Sequence, residues 1–245
     1  MRRLLAVALL ASACGGSSVG SIAPTATATW WAALASVFGG PYEQLPGDLR
    51  VEVSSRLNAV LPADFDKRTD AEQSAWFFER LQDGLVRLDD STLVRRFRLE
   101  VAGFGHLPVP VCAAAVRATD DIIGADEIGV RFGSGAKLSQ ATRDAFLTAL
   151  SDDQRKDWVE IMVEAIEASA HGRPGSRTVG YEGITIIRGS GRLATPEENS
   201  AIRAWTDGSS PSDAIECGGF RAFQAVLLRL PASDLATYSL FHVLP

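Results

Sequence analysis

Histidine is nearly missing from this chain: His106, His171 and His242 are the only three in 245 residues. They lie far apart, and none belongs to a His-x-x-x-His or His-Glu pairing that would set two ligands on one helical face, so no metal site is expected. Lysine is equally scarce, at Lys67, Lys137 and Lys156, which leaves arginine as nearly all of the 24 cationic residues and reads as a GC-rich coding bias. The Gly-Ser-Gly runs at 133–135 and 189–191 lack the third glycine of a dinucleotide fingerprint and the Gly-Lys-Ser/Thr ending of a phosphate loop. They read as turns, and no cofactor is expected. The one literal Gly-x-Ser-x-Gly, Gly16 to Gly20, lies in a low-complexity stretch and not on the strand-to-helix turn that exposes a nucleophile. Excess positive charge is lacking too. Thirty acidic residues against 24 basic ones give a net charge of −6, which removes the electrostatic basis for nucleic-acid binding. No period of 20 to 50 residues repeats, so a solenoid is not supported.

What is present begins at the N-terminus. Arg2 and Arg3 supply a positive start, Leu4 to Leu10 an apolar core too short to span a bilayer, and Ala11, Ser12 and Ala13 the small residues that a signal peptidase accepts. Cys14 follows directly. The run "LASAC" resembles the lipobox of bacterial lipoprotein signal peptides, with Ala11 standing where that family more often has leucine. The resemblance implies that Cys14 is lipidated, becomes the new N-terminus and anchors the chain to a membrane of the cell envelope through acyl chains. In a two-membrane organism, Gly15 in place of an aspartate after the cysteine implies the outer membrane, facing the periplasm. The division expected is a signal peptide over 1–13, an acylated cysteine and flexible tether over 14–29, and a single helical domain over 30–245. Losing Arg2 and Arg3 would take the net charge from −6 to −8.

With Cys14 lipidated, Cys112 and Cys217 remain, and an even pair in an exported protein is most simply a disulfide. Closing a loop of that length stabilises by up to ~4.7 kcal/mol in the chain-entropy model. Neither cysteine has a histidine within five positions, so a catalytic thiol is the weaker reading. Gly218 and Gly219, directly after Cys217, would let another backbone come close, as a disulfide partner must.

The body reads as mainly α, an irregular multi-helix domain. Thr69 with Glu72 forms a capping box ahead of an apolar face of Phe78, Leu81, Leu85 and Leu88. Ser151 with Gln154 repeats that grammar ahead of Trp158, Ile161, Met162, Ala165 and Ile166, with Gly172 and Pro174 as the stop. Ser139 caps a shorter helix before it, and Ser210 with Pro211 opens a core helix near the C-terminus. Further helices are predicted over 46–61, 91–102, 110–119, 196–206 and 233–242. One segment argues for strand: Ile184 to Ile187, bounded by glycines, with 128–135 as its partner in a small two-stranded β ribbon. Trp30 and Trp31 suit either the membrane interface or a first helix packed on the body.

The remaining candidates each carry a plain reading beside a functional one. His171 suits the negative end of a helix, His242 an apolar environment, and His106, following "GFG" in a loop before Pro108, a catalytic base. Asp120, Asp121, Asp126 and Glu127 cluster around Gly124, but Ile122 and Ile123 break the alternation that a calcium loop needs, so a solvated loop is expected. In "RRFR", Phe97 faces inward with Leu93, Val94 and Val101, while Arg95, Arg96 and Arg98 face water or pair with Asp89, Asp90 or Glu100. Headgroup or partner contact is the alternative for these arginines. The function expected is that of a lipid-anchored envelope protein that binds an envelope protein or a hydrophobic small molecule between its helices. The alternative is a periplasmic hydrolase whose dispersed residues gather around His106.

Overall fold

Thr69 and Ser151 act as the sequence predicts. Each side chain accepts the backbone N–H three residues on, and the carboxylate of Glu72 or the amide of Gln154 returns to the cap's own N–H at 2.8 and 3.0 Å. A third capping box, Thr195 with Glu198 and Pro196 in the first turn, starts another helix. The computed structural model describes residues 30–38, 45–120, 140–175, 182–207 and 211–241. The described residues form helices and turns throughout, and the protein is mainly α. The first helices are α1 (Trp31–Phe38), α2 (Gly47–Asn58), α3 (Asp70–Leu85), α4 (Asp90–His106) and α5 (Val109–Asp120). They are followed by α6 (Gln140–Ala149), α7 (Asp152–Ala170), α8 (Glu182–Ser190), α9 (Pro196–Thr206), α10 (Asp213–Leu227) and α11 (Ala232–Phe241).

α7 lies at the centre of one group, packed by α2, α3 and α4. Its neighbours bury Val159, Ile161, Met162, Val163, Ala165, Ile166 and Ala168, which is more than one face. The approach of α3 is closest at Gly84, where a Cβ would fall 1.7 Å from the Ala165 carbonyl oxygen. Arg56 of α2 forks onto Glu167 of α7 at 3.0 and 2.6 Å, a bidentate pair that fixes the angle between the two helices. α7 ends at Gly172, whose φ of +61° is the left-handed turn that glycine adopts without Cβ strain. There Gly172 N–H donates to Ser169 O and Arg173 N–H to Ala168 O, closing the last carbonyls. The second group is built on α10, flanked by α9 and α5, while α11 lies across α4 and α8. Buried side chains run as one core from Trp30 to Leu240.

Helix C-termini leave carbonyls unpaired, and arginines from neighbouring helices supply the donors. Arg221 of α10 forks across Phe104 O and Leu107 O at the end of α4, at 2.6 to 3.0 Å. Arg155 of α7 reaches Leu147 O and Leu150 O at the end of α6, and Arg96 of α4 reaches Ser239 O in the last turn of α11. A planar five-donor fork can bridge two carbonyls while adding the positive charge that a helix C-terminus favours. The arginine bias therefore has a structural use, whatever its origin.

Several expectations change. Ile184 to Ile187 lie in α8, not in a strand; the proposed partner, 128–135, is outside the described residues. β-branched residues tolerate a helix at small cost, and packing on α11 and α10 overrides their preference. The Gly-Ser-Gly run at 189–191 is the end of α8 and the start of a 3₁₀ turn. α10 is capped by Ser212, whose hydroxyl accepts Ile215 N–H, so the start predicted at Ser210 and Pro211 moves inward; Ser210 itself is outside the described residues, as is the predicted cap Ser139. On α3 it is Trp76 and Phe77 that are buried, with Phe78 half-buried. Trp30 is in the core: its indole N–H donates to Asn58 Oδ1 at 3.3 Å, and its ring stacks on Trp31 and leans on Phe77. That is the packed reading and not the membrane-interface one.

Cys112 of α5 and Cys217 of α10 are disulfide-bonded, with Cα atoms 5.5 Å apart, across 105 residues of chain. Both are buried. The glycines beside Cys217 serve otherwise than predicted. A Cβ on Gly219 would meet Trp205 Cβ at 2.3 Å, so this glycine admits α9, and Gly218 faces open space. Thiol titration of the oxidised, denatured protein should find neither Cys112 nor Cys217; two reactive thiols from these positions would refute the bond.

Candidate functional site

α4 is covered on most sides, by α11, α7, α6 and α10, and this draws Arg96 and Glu100 inward with Leu93, Phe97 and Phe104. Of the two places expected for this arginine, facing water or pairing with a nearby carboxylate, it takes the second, beside Glu100, and does so inside the core. Arg96 Nη1 donates to the carbonyl and the hydroxyl of Ser239, each at 3.0 Å, and Nη2 stands 3.6 Å from Glu100 Oε2. Its guanidinium lies 5.8 Å from the centre of the Trp158 ring, and Phe97 meets Tyr238 edge to face at 5.3 Å. Burial lowers the Arg96 pKa and Glu100 opposes that, leaving an arginine that is still charged. Tyr238 is pushed well above the usual phenol range, first by burial and then by Glu100, so it stays neutral.

This junction holds a permanent cation, a carboxylate and a neutral phenol, and its evident work is to seat the end of α11. Arg96 Nε and Trp158 Nε1 are buried without a hydrogen-bond partner. Groups of this kind in folded proteins are generally met by ordered internal water, which a polar junction of this make-up suits.

A second polar cluster joins α3 to the end of α7. The Ser169 hydroxyl donates to Asp83 Oδ2 at 2.6 Å, and Arg87 forks onto the same carboxylate at 3.0 and 2.8 Å. Arg87 foremost, with Ser169 behind it, holds Asp83 below the usual carboxylate range. A carboxylate so stabilised is a poor base, so Ser169 is oriented but not activated. Between α9 and α10, Trp205 N–H donates to Glu216 Oε1 at 2.9 Å in a fully buried pair.

The sequence-predicted residues do not gather around one point. His106 is the exposed last residue of α4, since "GFG" continues the helix instead of forming a loop. Among the described residues, no serine or carboxylate is hydrogen-bonded to it. His171 is the exposed C-cap of α7, the place expected for it. Cys14, His242 and the acidic residues Asp121, Asp126 and Glu127 lie outside the described residues, and Asp120 ends α5. Among the described residues, no group of three or more His, Cys, Asp or Glu side chains could hold a metal ion. What sequence reasoning missed is the burial of Arg96 with Glu100. A signal was there: Leu93, Arg96, Phe97, Glu100 and Phe104 share one helical face, with opposite charges four apart inside an apolar stripe. Compared with protein-family models, with curated proteins and with solved structures, the chain gives no significant match to any.

Proposed function

We propose that the chain is a lipid-anchored protein of the bacterial cell envelope that acts by binding another envelope protein. The observation that carries this is the Cys112–Cys217 bond. With the two cysteines of the body joined, Cys14 is the one left over of three, and it stands directly after Leu-Ala-Ser-Ala. A buried disulfide also suits an oxidising compartment, which is where the N-terminal signal would send the chain. No helix among the described residues is long and apolar enough to cross a membrane, so attachment would fall to the acyl chains. A protein partner is favoured over a hydrophobic molecule held between helices because the side chains of α7 are packed on by α2, α3 and α4.

Cys14→Ala should abolish labelling by a fatty-acid analogue and move the protein from the membrane fraction to the soluble one. Undiminished labelling of the variant would overturn the anchor.

A further inference from the structure

Trp30 packs in the core, so its indole does not orient the body at a membrane. Residues 15–29, as a fully extended chain, reach at most roughly 50 Å, which lets any face of the body meet the bilayer. A tethered protein of this kind takes its orientation from its own surface. We propose that the solvent face of α4, through Arg95 and Arg98, rests on the anionic phospholipid headgroups of the membrane that holds the anchor. The inference rests on the lipid anchor proposed above.

The two arginines sit one turn apart on the exposed face of a 17-residue helix. Around Arg95, the positions three and four residues away are Ser91, Thr92, Arg98 and Leu99; around Arg98 they are Val94, Arg95, Val101 and Ala102. No carboxylate can pair with either along the helix, and the two like charges face each other one turn apart, a local cost that the helix itself does not offset. Their neighbour Arg96 shows the contrast. It turns into the core and meets Glu100, while Arg95 and Arg98 stay exposed and, among the described residues, make no ion pair. Arg56, Arg87 and Arg229 are each forked onto a carboxylate. The exposed stripe runs on through Gly105 to His106 with no acidic residue, on a protein of net charge −6.

Guanidinium groups bind phosphate oxygens in pairs, so an anionic phospholipid surface matches this stripe in charge and in geometry. Each arginine near such a surface shifts an equilibrium roughly fivefold, and the pair roughly 30-fold. That is too little to recruit a free, acidic protein, but a tether already holds the body at high effective concentration, where 30-fold decides which side faces down.

The test uses the full acylated chain with Ser91→Cys, at the exposed start of the stripe. With Cys14 acylated and Cys112 bonded to Cys217, the new thiol is the one site for a dye, whose energy transfer to a headgroup acceptor reports its height above the bilayer. Ser55→Cys, exposed on α2, is the reference position, and Arg50→Glu the matched charge change. In phosphatidylglycerol-containing vesicles, transfer from position 91 should exceed that from position 55. The excess should disappear in phosphatidylcholine vesicles, in high salt and in Arg95→Glu/Arg98→Glu, and should survive Arg50→Glu. Equal transfer from both positions, or an excess that persists after the double reversal, overturns the proposal and leaves the stripe to an acidic protein partner. A chain that sediments with neither vesicle overturns the anchor reading, and the orientation with it.

Discussion

Gly84→Ala should destabilise the protein by roughly 3 kcal/mol or more, a loss large for a single methyl group. The new Cβ would lie 1.7 Å from the oxygen, 2.3 Å from the carbon and 2.9 Å from the Cα of Ala165, all of them backbone atoms of α7. A side chain in the way could rotate. A helix backbone cannot, so α3 and α7 would have to separate where Gly84 and Ala165 meet, opening a buried contact between two helices. Alanine's advantage over glycine in a helix, about 1 kcal/mol, does not offset this. Gly218 in α10 makes the comparison sharp. A Cβ there meets nothing within 4 Å, so Gly218→Ala should gain about 0.5–1 kcal/mol from the same propensity term. Urea unfolding followed by circular dichroism reads both. If the two variants shift stability in the same direction by similar amounts, the close crossing of α3 and α7 is wrong.

Removing one partner of the buried Arg96–Glu100 pair should cost about 3–5 kcal/mol, because the other charge is left in the core uncompensated. Arg96→Met and Glu100→Leu should each show a loss of this size. The double variant should be less damaged than either single one. Its remaining deficit should be about 1–3 kcal/mol, the cost of leaving the Ser239 carbonyl at the end of α11 without its donor. Strict additivity of the two single effects would mean that the charges do not interact across 3.6 Å and would remove Arg96 from its place beneath α11.

The contrast between α7 and α8 shows what was readable and what was not. α7 announces itself through Ser151, Gln154 and Gly172, each of which meets a need created within a few residues: an orphan N–H at the start, a left-handed turn at the end. α8 offers no such local marks. Its Ile-Thr-Ile-Ile core has strand-like composition, and its helical state is decided by packing on α11 and α10, information that lies dozens of residues away. The Phe77 and Phe78 pair makes the same point on a smaller scale. Either phenylalanine fits the helical period, and the arrival of Trp30 and Phe65 against Phe77 decides which one is buried.

For the sites the division is similar. The pairing of Cys112 with Cys217 was expected from cysteine arithmetic once Cys14 was set aside by its resemblance to a lipobox cysteine, and the structure shows the bond. The burial of Arg96 did not follow, because a charged residue beside Phe97 can be carried outward or inward by a small rotation of α4, and only the arrival of Ser239 from 143 positions further along makes the inward choice stable. Sequence by itself therefore determined the helical class, most helix boundaries with their caps, and the disulfide, all of which answer to local hydrogen bonding or to counting. Tertiary structure alone decided which faces are closed, where Gly84 and Gly219 let helices touch, and which of three adjacent arginine-rich positions enters the core. Those outcomes depend on distances between segments remote in the chain, and no local pattern encodes them.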